Sequence, residues 1–425
     1  MLYSIFLLLL FYQCVNTTLR SAVQVRVSAR STANRPWLHS QDDVNATQQN
    51  ATETNSTLHR NRRSAPYVPP HGFIWSLDKT IGYVFDPVHG EDMKRLVREA
   101  FQFWEDNTCL TFEENGTNTP VLTVTKAGGC WSSLGLQLGQ ESQTISLNKD
   151  CALMGPIAHE IAHALSIDHT MTRPDRDQYI GIDLTNILKQ NHYNFVKLGN
   201  RQSLINFAPY DYGSIMQYSR FAFAEDESKP VMHAKNSDYQ KTMGSLHPSF
   251  SDIITMNRLY KCQERFCPNV RAQCLNGGII DSRSCSHCLC PMMFTGSQCE
   301  MRNRGRGPQG ECGASLKADS KWQSFEASVG DDSEELHEFY DCFWLITAPQ
   351  NRKVQIRVSW LEDCLEECGA TGAEIFVNSF TMGGVKICCE DDFKGKVFIS
   401  TGQVAAVHVN TMYDFASVEI AYRFV

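Results

Sequence analysis

Apolar residues recur along the chain with two different periods, and the change of period divides it. Between Glu91 and Asp106, Met93, Leu96, Val97, Ala100, Phe101 and Trp104 fall at helical spacing. That spacing predicts an amphipathic helix packed on a sheet. Val121 to Val124 is short, apolar and β-branched and reads as a strand. Met154, Ile157, Ala158, Ile161, Ala162 and Leu165 return to helical spacing and give a second helix an apolar back face. Beyond Cys312 the period becomes two: Val354, Ile356, Val358 and Trp360 share one face, and short runs follow in VFIS, AAVHV and VEIAYRF. Several short strands separated by turns predict an all-β sandwich over 312–425.

The first 63 residues fit neither pattern. Ile5 to Tyr12 is an apolar run too short to span a bilayer and sits where a secretory signal belongs. Residues 1–16 are expected to be that signal, with cleavage between Cys14 and Thr18. An uncleaved anchor is the alternative, and the missing basic flanks argue against it. No other segment reaches the roughly 20 apolar residues of a membrane span, so a soluble, exported product with no integral membrane segment is expected. From Thr17 to Arg63 the chain is rich in Ser, Thr, Asn and Gln and lacks apolar periodicity. Glycosylation sequons lie at Asn45, Asn50 and Asn55, with a further one at Asn115. The stretch closes on Arg60-Asn61-Arg62-Arg63, a furin-type processing pattern. Residues 17–63 therefore read as a pro-segment whose removal by a furin-like protease leaves Ser64 as the new N-terminus.

Composition adds the compartment. The chain carries 17 cysteines, and removal of Cys14 with the signal leaves an even number, as a disulfide framework requires. Cys109, Cys130, Cys151 and Cys262 fall in the first folded region, expected over 64–263, and their spacing allows three pairings. Cys267, Cys274, Cys285, Cys288, Cys290 and Cys299 crowd into 264–301, where so few apolar residues make a disulfide knot. An oxidising compartment argues against zinc on those thiols. RNRGRGPQG, within 302–311, reads as a flexible basic linker. A net charge of −8 and a pI near 5.9 give no polybasic reason to expect nucleic acid.

The chemistry lies in HEIAHALSIDH. His159 and His163 are four apart and project from one face of a helix, so they can share a metal ion. His169 supplies a third imidazole. Three protein nitrogens leave the open fourth position that catalytic zinc needs. Glu160 is placed to reach a water at the ion and act as base. The spacing matches the metzincin pattern HExxHxxGxxH except that Ser166 stands where glycine belongs. Glycine ends the helix with a positive φ, a conformation that costs serine roughly 1 kcal/mol more.

Further segments resemble the astacin family of zinc endopeptidases. Ser214-Ile215-Met216-Gln217-Tyr218 is similar to its Met-turn, Arg173 to Asp177 to part of its signature, and Gly129-Cys130-Trp131-Ser132-Ser133-Leu134-Gly135 to its GCWSxxG segment. The resemblance implies one zinc held by His159, His163 and His169, with Tyr218 as a displaceable fifth ligand that later donates to the oxyanion and Met216 as a packing support. It also implies an α+β metzincin domain, Cys109 paired with Cys262, Cys130 with Cys151, and the strand at Val121 to Val124 at an edge where extended substrate adds by β-augmentation. Thr170 departs from the family, which has Glu there to anchor the processed N-terminus. The pro-segments of the family place an Asp on the zinc within FxGD; that motif is absent, leaving Asp42 and Asp43 as candidates. The CxC pair, Gly296 and final spacing of the small cysteine-rich block resemble an EGF-like module, although its earlier spacings differ. The opening CG and DCFWLITAP resemble a CUB domain, which would pair Cys312 with Cys342 and leaves Cys364, Cys368, Cys388 and Cys389 open; an unrelated sandwich is the alternative.

A secreted zinc endopeptidase acting on extracellular proteins is the expected function. The competing reading is a secreted binding or adhesion protein with a degenerate protease scaffold, supported by Ser166 and Thr170 alone, since every ligand and base position is intact.

Overall fold

The computed structural model describes residues 74–199, 207–333, 340–362, 364, 368–369, 371–412 and 414–425. The expected signal, the pro-segment with Asp42, Asp43, Asn45, Asn50 and Asn55, and the processing point at Arg63 and Ser64 lie outside the described residues.

Five strands open the fold: β1 (Ile81–Phe85), β2 (Phe112–Glu114), β3 (Val121–Thr125), β4 (Cys130–Ser132) and β5 (Ser142–Leu147), in the spatial order β2-β1-β3-β5-β4. All neighbours are parallel except β4, which runs antiparallel to β5. The strand at Val121 is thus central, with a neighbour on each side, and the edge beside it in the chain is β4. This corrects the expectation that Val121 to Val124 pairs with substrate. Helix α1 (Glu91–Asn107) crosses between β1 and β2 and buries Val97, Ala100, Phe101 and Trp104. The Phe101 ring stacks on Tyr83 at 4.2 Å.

Helix α2 (Met154–Ala164) lies against α1 in the same apolar cluster. Pro156 sits in its first turn, where a missing N–H costs nothing. Gly155 is required there, because an added Cβ would come within 2.1 Å of the Leu246 carbonyl oxygen. Indole N–H groups fix the helix on the layer beneath: Trp104 Nε1 donates to Ala158 O at 3.0 Å and Trp75 Nε1 to Ala164 O at 2.8 Å. Helix α3 (Phe250–Leu259) starts with a capping box between Ser249 and Asp252. The disulfide Cys109–Cys262 ties the chain beyond α3 to the end of α1, and Cys130–Cys151 ties β4 to the approach to α2.

The small block is linked Cys267–Cys285, Cys274–Cys288 and Cys290–Cys299. It packs as a wedge in one unit with its neighbours. Ile279 and Leu289 touch Phe250, Ile253 and Ile254 of α3, while Met293 and Phe294 meet Phe343, Phe376 and Ala406 of the C-terminal region. Arg302 to Cys312 is ordered, unlike the flexible linker its composition suggests. Arg302 Nη1 donates to the carbonyls of Asn303, Cys312 and Phe343, and Arg306 exchanges both backbone hydrogen bonds with Asp341. Guanidinium donors and glycine turns here satisfy backbone carbonyls.

Two sheets close over the last core. One has the order Gly313–Lys317, Tyr340–Thr347, Val404–Thr411, Thr371–Phe376, Val385–Ile387; the other Gln323–Ser333, Asp414–Phe424, Val354–Leu361, Phe398–Ile399. Val354, Ile356 and Val358 face inward, but Trp360 is 46 % exposed. The register slips between Val358 and Trp360, so a bulge turns Trp360 away from the face that simple alternation assigns to it. The disulfides are Cys312–Cys342, Cys364–Cys389 and Cys368–Cys388. Among the described residues no helix is long and apolar enough to cross a membrane.

Candidate active site

Helix α2 ends in a Schellman turn that swings the chain toward His169. Ile167 N donates to Ala162 O and Ser166 N to His163 O, each at 2.9 Å. Ser166 carries φ 75°, the left-handed conformation for which glycine is usually chosen. The substitution thus leaves the turn intact, with Ser166 buried and the Tyr260 hydroxyl donating to the neighbouring Leu165 carbonyl at 3.2 Å.

The turn brings the three imidazoles together. One ligand atom from each of His159, His163 and His169 lies within 4.8 Å of the others. His159 Nδ1 is 2.8 Å from Ile215 O and His163 Nδ1 is 2.8 Å from Ile167 O. A carbonyl only accepts, so each Nδ1 carries the proton and each Nε2 presents a lone pair. His163 Nε2 and His169 Nε2 are 3.0 Å apart, within about half an ångström of the roughly 3.4 Å that two zinc–nitrogen bonds of about 2.1 Å span at a tetrahedral angle. Donor type, tautomer and spacing all fit zinc. Glu160, fully buried, follows His159 on α2. The Tyr218 ring lies 4.3 Å from that of His169 and is flanked by Phe195 and Phe223.

The Met-turn is held from behind by a carboxylate that sequence reading missed. Asp252 accepts from Ser214 Oγ at 2.6 Å and from Ile215 N at 2.9 Å. This fixes the Ile215 carbonyl that orients His159. Burial, with Asp211 adding to it, pushes the Asp252 carboxyl up to about 6, and burial likewise raises Asp211. The signal for Asp252 was present in Ser249-Phe250-Ser251-Asp252, a capping pattern whose carboxylate also reaches the turn. Thr170 joins the third histidine's loop to the same turn, with its N on Met216 O at 2.9 Å and its Oγ1 on Ser214 Oγ at 3.0 Å. Met216 is buried in the cluster shared with α2.

Arg173 and Arg176 hold the loop beyond the histidines. Arg173 grips Asp175 in a fork at 2.8 and 2.7 Å and donates to Ala208 O, while Arg176 donates to Met171 O. The fork holds the Asp175 carboxyl below its usual range. These residues shape the wall of the site. Gly135 N donates to His163 O at 2.8 Å, fastening the loop after β4 to α2. A second cluster of ligand-type atoms, Cys368, Cys388 and Asp392, is no metal centre, because both sulfurs are in a disulfide.

A helix presenting two histidines and a carboxylate, with a third histidine on the returning turn, defines a zinc-dependent peptidase. Residues 71–261 match the family model described as Astacin, a peptidase family. Zinc metalloproteinase nas-28 of Caenorhabditis elegans is 36% identical over 380 residues, 88% of this chain and 75% of that protein. Zinc metalloproteinase nas-27 of the same organism is 34% identical over 355 residues, 80% of this chain and 83% of that protein. Among solved structures, high choriolytic enzyme 1, a hatching enzyme zinc-protease from Oryzias latipes, aligns with TM-score 0.40 and 31% identity over 43% of this chain and 89% of its own. The chain belongs to the astacin family. It is a zinc metalloendopeptidase with one catalytic zinc.

Proposed function

We propose that the protein is a secreted endopeptidase, made as a zymogen, that cuts extracellular proteins at a zinc held by His159, His163 and His169. The fixed tautomers of His159 and His163 carry this reading: two backbone carbonyls leave their Nε2 lone pairs converging with His169. Zinc supplies Lewis acidity there, polarising the scissile carbonyl and lowering the pKa of a water toward about 7. Glu160 takes the proton of the attacking water and returns it to the departing amine. Tyr218, whose ring lies beside His169, would be the displaceable fifth ligand, and its hydroxyl would donate a hydrogen bond to the developing oxyanion. Met216 packs under the histidine helix. Strand β4, at the sheet edge and fastened near α2, is the surface on which an extended substrate adds a strand.

Export rests on the apolar leader at Ile5 to Tyr12 and on the disulfides. Activation would follow cleavage after Arg63 by a furin-like protease, exposing Ser64. Asn115, exposed on a turn with φ 60°, is accessible for glycosylation, and Asn45, Asn50 and Asn55 lie in the removed segment. Residues 264–301 read as an EGF-like module and 312–425 as a CUB domain, the latter supported by the two-sheet sandwich and the Cys312–Cys342 bond. Glu160→Gln in the processed protein is expected to keep stoichiometric zinc while lowering peptide hydrolysis by several orders of magnitude. A chelator should abolish wild-type activity, and undiminished turnover by the Gln variant would remove Glu160 as the base.

A further inference from the structure

The C-terminal sandwich touches the catalytic domain at one point close to the Met-turn. The loop before strand Val385–Ile387 brings Gly383 against Gly213, so tightly that a Cβ on Gly383 would lie 2.7 Å from the Gly213 Cα, and the reverse contact would be 2.6 Å. Glycine is needed on both surfaces. Asp211 joins them: its Oδ1 accepts from Gly213 N at 2.8 Å and from Gly383 N at 2.9 Å, and its Oδ2 accepts from Ser251 Oγ at 2.6 Å. One carboxylate therefore serves the Met-turn, helix α3 and the sandwich.

The loop itself is anchored on both sides. Gly384 N donates to the buried Glu374 at 2.6 Å, and Thr242 Oγ1 of the catalytic domain donates to Gly384 O at 2.8 Å. Around this centre Lys241 pairs with Asp392 at 2.9 Å, Lys396 with Asp238 at 3.0 Å, and Asn378 donates to Tyr239, whose ring stacks on Tyr212 at 5.1 Å. From Asp211 the tight turn through Gly213 and Ser214 leads to Ile215, whose carbonyl receives His159 Nδ1 at 2.8 Å. A single side chain and one turn thus separate Gly383 from a zinc ligand.

We infer that the sandwich acts on catalysis by using Gly383, whose amide binds Asp211, to clamp that carboxylate, a positioning residue that holds the Met-turn and with it His159 in register for zinc. The sandwich is then part of the metal site's supporting shell, whatever else it binds. This rests on the reading of His159 as a ligand, whose own test is the Glu160 variant above.

The experiment uses the full processed chain with Gly383→Ala, Asp211→Ala, Asp211→Asn and Gly402→Ala. Gly402 has open space around its would-be Cβ and serves as the sandwich control. Hydrogen exchange of the backbone amides at 211–217 is measured in the chelated and the zinc-loaded protein, with zinc release to a competing chelator. Gly383→Ala and Asp211→Ala are expected to speed exchange there in both forms, to weaken zinc retention on the order of 10- to 100-fold, and to lower kcat on a short peptide with KM unchanged. Asp211→Asn keeps an acceptor for both glycine amides and should restore exchange and retention toward wild type. Gly402→Ala should match wild type. Protection of amides at 404–411 separates a local effect from unfolding of the sandwich, and if Gly383→Ala loses it, the Asp211 pair decides. Wild-type exchange at 211–217 and wild-type zinc retention in Asp211→Ala would overturn the inference, even with Glu160→Gln inactive.

Discussion

Ser166 stops α2 with a left-handed backbone that L-residues adopt at a cost of about 1–2 kcal/mol. The pair of bonds made by Ser166 N and Ile167 N fixes that conformation, because releasing it would leave two buried backbone N–H donors without their helix carbonyls. A β-branched side chain is far worse there than serine. Ser166→Val is expected to destabilise the fold by about 2–3 kcal/mol and to loosen zinc. Ser166→Gly should stay within about 1 kcal/mol of wild type, the relief of strain being offset by a freer unfolded chain. Urea unfolding with zinc titration measures both; a Val variant as stable as the Gly variant would show that φ at this position does not limit the turn. Spacing alone made the shared helix face of His159 and His163 legible, since i and i+4 on a helix need no tertiary knowledge. The partners that orient them were not, because Ile215 O and Ile167 O are backbone groups present at every position. Asp252 lies far from His169 along the chain and meets it only through the folded Met-turn.

At the scale of elements, α1 and α2 are tied more specifically than apolar periodicity conveys. Trp104 is wholly buried, and its indole N–H reaches the carbonyl of Ala158, next to His159. Trp104→Phe removes that donor and leaves a void, an expected loss of about 2–4 kcal/mol in chemical unfolding. Zinc release should quicken as well, because the helix carrying His159 and His163 loses its fixed height on the layer below. A variant with wild-type stability would mean the contact is replaced by repacking. Both helices were legible because a 3.6-residue stripe survives in any context. Strand order was not: Val121–Thr125 has the same alternation whether it is central or at an edge, and its neighbours β1 and β5 arrive from elsewhere in the chain. Trp360 failed for a related reason, since one bulged residue reverses every later face. Tyr340–Thr347 shows the opposite case. Its near-continuous apolar run, Phe343, Trp344, Leu345 and Ile346, reflects cover on both faces, by the sandwich core and by the cysteine-rich wedge.

Across the whole molecule, the sandwich, the catalytic domain and the loop between them meet near a buried ionic group. His408 lies between Asp341, 2.6 Å from Nε2, and Glu374, 3.5 Å from Nδ1. Burial alone would push the imidazolium down, but the hydrogen bonds and charges of the two carboxylates outweigh it and hold His408 up at about 9. His247 faces the same cluster from the catalytic domain, where burial pushes it down to about 4, so it stays neutral above that range; Lys386 and Arg306 are further cations nearby. Between about pH 6.5 and 9 the native state therefore binds one proton more than the unfolded chain at His408, and stability falls as pH rises through that window. His408 contributes fully below about pH 6.5 and is lost through about 9, a change on the order of 3 kcal/mol. Glu374 also holds Gly384 N at 2.6 Å, so the loop resting on Asp211 should loosen over the same range. Unfolding free energies in urea at about pH 6, 7.5 and 9 are expected to decline for wild type and to flatten for Asp341→Asn, which removes the closer of the two carboxylate charges. A wild-type profile flat across that window would mean that His408 is neutral in the fold, and that its bonds to Asp341 and Glu374 rest on protonated carboxyls instead.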